Sequence, residues 1–350
     1  TNGNVSTHYQ GLVVKTADGV ILNPAGEVEL AELPSGLVSR PSLYWKLESD
    51  KGGTHKTEIR YQTGGMNWRC DYVAVVNKDD SVTDLAGWVT LDNQSGASYK
   101  DASLKLIAGD VHKIQESGRR GIAPVAKFAF NGAVAAPQFA EESFAEYHLY
   151  TLQNKTSVRD KETKQLSLFN ASNVPVKKLF IYEPTRGGGA YPMFIPNPDE
   201  ANKKVNVKLE MNNSKENELG MPLPKGKVRV YKKDKDDALQ FVGEDQIDHT
   251  PKDEKIRLYI GDAFDLVGER KQLNVQRPSQ REEKQTIEIS LRNHKDSAVT
   301  ITAVEHASGD WKISNNSMDF TKRDSHTFEF AANVPANGEV KITYDITTRW

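Results

Sequence analysis

The feature that most constrains the fold is an alternation of apolar and polar side chains with a period of two residues. Between Val340 and Thr347 four apolar residues alternate with four polar ones. The same pattern recurs at Ile287, Ile289 and Leu291. Successive side chains of a β-strand point to opposite faces, so this period is typical of strands with one buried face. The sequence therefore predicts an all-β protein.

Turn sequences separate the alternating runs in the C-terminal part of the chain. Residues 335–338, Pro-Ala-Asn-Gly, lie between two such runs. Asn and Gly both accept a positive φ, so this pair indicates a β-hairpin. Short strands at roughly ten-residue spacing with such turns are typical of a β-sandwich. We expect residues 253–350 to form an immunoglobulin-like sandwich.

The preceding part of the chain shows the same alternation and is expected to form a second sandwich-type domain. A length of 350 residues suits two domains. We place this first domain at 1–252 and leave open a further division near residue 170, which would make three. Residues 113–146 break the alternation and predict a long loop insertion. Pro137 followed by Ala and Glu residues favours a short helix within it, because proline suits a first helical turn.

Charge and hydropathy limit the classes of partner. The chain has 46 basic and 48 acidic residues, a formal net charge of −2. Broad nucleic-acid binding needs a basic face that neutralises phosphates, so we expect no nucleic-acid partner. No apolar run in the sequence approaches the roughly 20 residues that span a bilayer, so we expect no transmembrane segment.

The chain has a single cysteine, Cys70. An intrachain disulfide and a cysteine-rich zinc site are therefore excluded. Cys70 shares its strand face with Trp68 and Tyr72, which predicts a buried packing residue. A buried thiol is a poor nucleophile.

The densest group of potential metal ligands lies in residues 243–254. Asp245, Asp248 and His249 offer hard oxygen atoms and one imidazole, which suit a divalent cation. The spacing matches no known metal-binding loop, and two nearby lysines compete for the carboxylates. We therefore predict no cofactor and no catalytic residue, and keep a cation at these three residues as an alternative. A second group, His306 with Asp310 and Trp311, is better explained by a Trp anchoring a sandwich edge beside a turn.

A family resemblance rests on segments spread over nearly the whole chain. They are 61–72 (YQTGGMNWRCDY), 87–111 (GWVTLDNQSGASYKDASLKLIAGDV), 146–152 (EYHLYTL), 220–230 (GMPLPKGKVRV), 260–271 (IGDAFDLVGERK), 291–295 (LRNHK) and 348–350 (TRW). In order and spacing they resemble the bacterial mucoidy-inhibitor-A-like family, whose C-terminal region is a domain of unknown function. The resemblance implies an exported protein of the periplasm or cell surface. It also implies that a signal peptide and an N-terminal β-rich region are missing from this chain. It supplies no reaction, cofactor or catalytic residue.

These observations favour a non-catalytic structural or binding module of the cell envelope. We expect it to act through protein or glycan contacts, self-association included, with sheet edges and the 113–146 loop as contact surfaces. One alternative is a hydrolase of envelope polysaccharide or peptide. It would require two or three of Glu146, His148, Asp245, Asp248 and His249 to converge in a cleft. A calcium-stabilised surface module is another alternative.

Overall fold

The computed structural model describes residues 13–17, 19–22, 44–109, 138–185 and 202–350, which are almost entirely β-strand. The strands are β1 (Val13–Thr16), β2 (Gly19–Leu22), β3 (Met66–Val76), β4 (Val82–Asn93), β5 (Tyr99–Ala102), β6 (Lys105–Ala108), β7 (Phe139–Phe144), β8 (Tyr147–Leu152), β9 (Thr156–Val158), β10 (Thr163–Pro175), β11 (Lys177–Tyr182), β12 (Lys204–Asn212), β13 (Gly226–Lys233), β14 (Leu239–Ile247), β15 (Lys255–Ser279), β16 (Glu282–Asn293), β17 (Val299–His306), β18 (Asp310–Ser314), β19 (Thr321–Lys322), β20 (Thr327–Val334) and β21 (Gly338–Arg349). One 3₁₀ turn spans Lys215–Asn217. The all-β prediction is confirmed.

The chain divides into two compact units, residues 1–60 and 61–350. In the first unit β1 and β2 form an antiparallel hairpin. The second unit holds a five-stranded sheet in the order β10-β4-β3-β13-β14 and a nine-stranded sheet in the order β18-β21-β16-β15-β12-β11-β17-β20-β19. The described part of this unit also contains a three-stranded sheet, β6-β8-β7, and the pair β5-β9. Within the described residues, no helix is long and apolar enough to cross a membrane.

The first hydrophobic core lies between the five-stranded sheet and the central strands of the nine-stranded sheet. Tyr72 and Val228 come from the five-stranded sheet, and Leu209 and Leu258 come from the nine-stranded sheet. The three-stranded sheet adds Tyr150. All five side chains are buried. Burial of alternate residues from both layers explains why the period-two pattern runs through this half of the sequence.

The second core lies where the two ends of the nine-stranded sheet face each other. Phe330 of β20 contacts Tyr344 of β21 at a ring-centroid distance of 5.2 Å. Phe328 lies 5.7 Å from the same tyrosine. Ile287 and Ile289 of β16 are fully buried on the same inner face. The alternation that predicted β16 and β21 therefore marks their inward-facing residues, and the sandwich-type prediction is confirmed.

Strands β12 and β15 contribute to both cores. In β12, Leu209 belongs to the first core and Val205 to the second. In β15, Leu258 belongs to the first and Leu266 to the second. The predicted domain boundary at 252/253 falls in the turn before β15, while Tyr182 and Val205 of the second core precede it. A division near residue 170 would fall inside β10. The domain limits stay a prediction.

The helix predicted after Pro137 is wrong where the structure describes the chain. Phe139–Phe144 is strand β7, which pairs antiparallel with β8. Phe139 is buried in the first core, and cross-strand pairing overrides the weak local helix preference of the Ala and Glu residues. Residues 110–137, most of the predicted loop, lie outside the described ranges.

Candidate functional site

The three candidate metal ligands are each used by local hydrogen bonds. The Asp245 carboxylate accepts the backbone N–H of Tyr259 at 2.7 Å and that of Gln246 at 2.8 Å. Asp248 accepts the backbone N–H of His249 at 2.8 Å. His249 Nδ1 accepts the backbone N–H of Lys225 at 3.2 Å. In the described part of the chain, no group of three or more His, Cys, Asp or Glu could hold a metal ion.

The residues required by the hydrolase hypothesis come from two separate parts of the sequence, the β7–β8 hairpin and the end of β14. His148 of β8 pairs with Glu141 of the neighbouring strand β7, with Nδ1 and Oε1 2.8 Å apart. Glu146 is exposed in the turn that joins these two strands. Among the described residues, no hydrogen bond or ion pair links His148 or Glu146 to Asp245, Asp248 or His249.

His306 and Trp311 have separate partners. His306 Nε2 lies 2.6 Å from Oε1 of Glu183. The Trp311 indole N–H donates to the carbonyl of Ser325 at 2.7 Å, and its ring packs 5.1 Å from that of Phe328. Trp311 therefore covers the edge of the second core, as the sequence predicted.

Cys70 is buried in the first core, as predicted. Burial raises the pKa of its thiol to about 12. The thiolate is the nucleophilic form, so Cys70 is a neutral packing residue at physiological pH.

A buried ion pair lies in the second core. Arg270 Nε of β15 donates to both carboxylate oxygens of Glu305 of β17, at 3.0 and 3.1 Å. Only 4% of the Glu305 side chain is exposed. Burial raises the pKa of the adjacent Tyr344 well above its usual value, and the Glu305 charge adds to the rise. The pair holds two facing strands together and is closed to substrate.

A pocket lies at one end of the first core, between the five-stranded and nine-stranded sheets. Its volume is about 220 Å³. Val76 and Val242 line it from the first sheet, and Val207, Leu209 and Ile260 from the second. It occupies the place where β12 and β15 leave the first core toward the second, and its walls are mainly apolar.

Three of the four charged side chains that line the pocket form one hydrogen-bonded group. Asp80, in the turn between β3 and β4, accepts a hydrogen bond from Lys178 Nζ of β11 at 3.0 Å. It accepts a second from Lys232 Nζ of β13 at 2.5 Å. Since β11 and β13 belong to different sheets, Asp80 links the two layers. Burial alone would raise the pKa of Asp80, but the hydrogen bonds from both lysines lower it overall, so the carboxylate stays charged at neutral pH.

The turn that presents Asp80 is fixed by its own hydrogen bonds. Asn77 Oδ1 accepts the backbone N–H of Ser81 at 2.9 Å, and the Asn77 N–H donates to the carbonyl of Val82 at 3.0 Å. Asp80 has a φ of 58°, a left-handed conformation that Asp tolerates better than most residues. These hydrogen bonds fix the turn that carries the Asp80 carboxylate.

Strand β14 borders the pocket with exposed apolar side chains. It is an edge strand of the five-stranded sheet. Leu239, Phe241 and Val242 are 43%, 56% and 37% exposed. The Phe241 ring packs edge-on against Tyr231, with centroids 5.7 Å apart. We call the pocket, this hydrogen-bonded group of three charged residues and the 239–242 border the notch.

The sequence alone does not locate the notch. Asp80, Lys178 and Lys232 come from three distant segments, and each looks like an ordinary charge of a surface turn or strand. One signal was readable, since residues 239–242 (Leu-Gln-Phe-Val) place apolar side chains next to a highly charged turn.

Comparisons with known proteins do not assign the chain to a family. No protein-family model and no curated protein matches the chain. The resemblance to the mucoidy-inhibitor-A-like family therefore stays a prediction that rests on the segments quoted above.

Proposed function

We propose that this chain is a non-catalytic binding module that contacts another protein through the notch. The observation that carries the proposal is the row of exposed apolar side chains at the end of edge strand β14. Val242 also lines the pocket, and Leu239 and Phe241 lie just before it on the same strand. Exposed apolar clusters next to a concavity are typical of protein-interaction sites.

The edge position of β14 supports the same role. In the described residues, no strand pairs with the outer edge of residues 239–242. Farther along β14 the Tyr259 N–H reaches Asp245, so that part of the edge lies against β15. An unpaired edge can accept an extended segment of a partner, whose side chain could then enter the pocket. Aliphatic walls suit an apolar side chain better than the hydroxyl groups of a sugar.

We place this activity in the bacterial cell envelope, outside the cytoplasm. The support for that location is the family resemblance. Fractionation of the source bacterium with an antibody against residues 61–350 tests the location independently of the binding role.

Photo-cross-linking in the source bacterium tests the binding role. A benzoyl-phenylalanine is placed at position 241, and a matched control carries it at exposed Lys100 on β5. We expect one cross-linked protein from position 241, absent from position 100 and lost when Leu239→Asp is added. A second copy of this chain as the product would identify self-association. Identical products from both positions, or none from position 241, would overturn the proposal.

A further inference from the structure

We infer that the notch binds a small carboxylate carried on a branched apolar group. The inference rests on the proposed function, because it names the chemistry that the notch recognises. A volume of about 220 Å³ has room for a small branched side chain together with a carboxylate.

The two lysines provide the charge that such a ligand needs. Each ammonium has three N–H donors. In the described part of the chain, Lys178 and Lys232 each donate one of them, to Asp80. Within this group of three, two positive charges face one negative charge, and each ammonium has N–H donors beyond the one that Asp80 accepts. A second carboxylate between the lysines would balance the charge.

The other carboxylate of the pocket does not supply that balance. Asp262 accepts a hydrogen bond from Asn206 Nδ2 at 2.7 Å and from the Tyr259 hydroxyl at 3.0 Å. It also forms an ion pair with Lys204 at 3.2 Å. The Asp262 carboxylate is therefore already paired with Asn206, Tyr259 and Lys204.

The apolar walls of the pocket favour a ligand in which the carboxylate is attached to an apolar group. Val207 and Leu209 are buried, Ile260 is partly buried and Val242 is 37% exposed. Gly261 leaves bare backbone in the wall, and a Cβ there would meet no atom within 4 Å. A neutral apolar ligand would cover the lysines without pairing with them, which costs free energy. A cationic ligand would be repelled by the ammonium groups of Lys178 and Lys232.

An alternative explanation is that the three charged residues only link the two sheets. The two explanations predict different effects of Asp80→Asn on ligand binding. If the charges only link the sheets, this change weakens the link and no ligand responds. If the notch binds carboxylates, the change removes the competing negative charge and tightens their binding.

Saturation-transfer NMR titration of the full chain tests the inference with four probes. They are 4-methylpentanoate, 4-methylpentanamide, N-acetyl-leucine and N-acetyl-leucinamide. We expect each carboxylate to bind about tenfold more tightly than its amide, as one charge-assisted hydrogen bond provides. Lys232→Met should abolish the preference, Asp80→Asn should increase it, and the surface control Lys100→Met should leave it unchanged.

The two carboxylates separate the sources of the ligand. Tighter binding of N-acetyl-leucine indicates the C-terminus of a protein, and tighter binding of 4-methylpentanoate indicates a free acid. Equal binding of acids and amides by the wild-type chain would overturn the inference, whatever the variants do. If cross-linking from position 241 persists in that case, the proposed function stands and only the ligand chemistry is wrong.

Discussion

At the scale of single residues, the buried Arg270–Glu305 ion pair of the second core makes stability depend on both partners being present. Burial opposes the charge on Arg270, but Glu305 beside it raises the pKa of the guanidinium overall. The guanidinium is therefore charged in the folded protein. A buried ion pair adds little net stability, but removing one partner leaves the other charge uncompensated.

We expect Glu305→Gln to destabilise the protein by about 3 kcal/mol. Replacing both partners, as Arg270→Met with Glu305→Leu, should cost less than the single change. Urea unfolding followed by circular dichroism measures both values. A double variant less stable than the single one would contradict this assignment.

The inward position of one partner of this ion pair, Glu305, can be predicted from the sequence. Alternation along β17 puts Glu305 on the same face as buried Ile301 and Ala303, so a glutamate on an inward face could be predicted. Its partner could not, because Arg270 lies 35 residues away on a strand of the opposite layer. Cys70 was predictable for the opposite reason, since its burial depends only on the alternation of its own strand.

At the scale of strands, Asp345 joins β16 and β21. Its carboxylate accepts hydrogen bonds from Thr286 Oγ1 and Asn315 Nδ2, both at 2.7 Å. Lys284 Nζ lies 2.9 Å away. The Thr286 hydrogen bond and the Lys284 ammonium lower the pKa of Asp345.

A lowered pKa makes this contribution pH-dependent. The folded-state pKa lies below the unfolded value of about 3.9, so the stabilisation is present above that value and is lost as the pH falls through the folded-state pKa. We expect Asp345→Asn to cost about 2 kcal/mol at neutral pH. The difference from wild type should shrink below about pH 4. Urea unfolding from neutral pH to about pH 2.5 measures it, and a difference that does not change with pH would contradict the assignment.

Strands were predicted correctly where the alternate residues along one whole face of the strand are buried. Strands β16 and β21 follow this rule, and their alternation is plain in the sequence. Strand β7 breaks it, because Phe139 is its only buried residue and Glu141 and Glu142 suggest a helix. Its pairing with β8 decides the conformation, and pairing between strands is not readable from one strand.

At the scale of the whole 61–350 unit, distant segments pair to build the notch. Strand β13 runs parallel to β3, and β11 runs parallel to β17. Each pair joins segments more than a hundred residues apart, so neither contact leaves a local signal in the sequence. The sequence predicted a boundary at 252/253, but it could not show that β12 and β15 continue through both cores.

The notch lies where these two strands pass from one core to the other, so its geometry depends on a single cooperative unit. Native-state hydrogen exchange on wild type and on Ile289→Ala, a change confined to the second core, tests this most directly. We expect the cavity to cost about 3 kcal/mol and to lower the protection of β3 amides and β20 amides by the same amount. Loss of protection in β20 with β3 unchanged would contradict it.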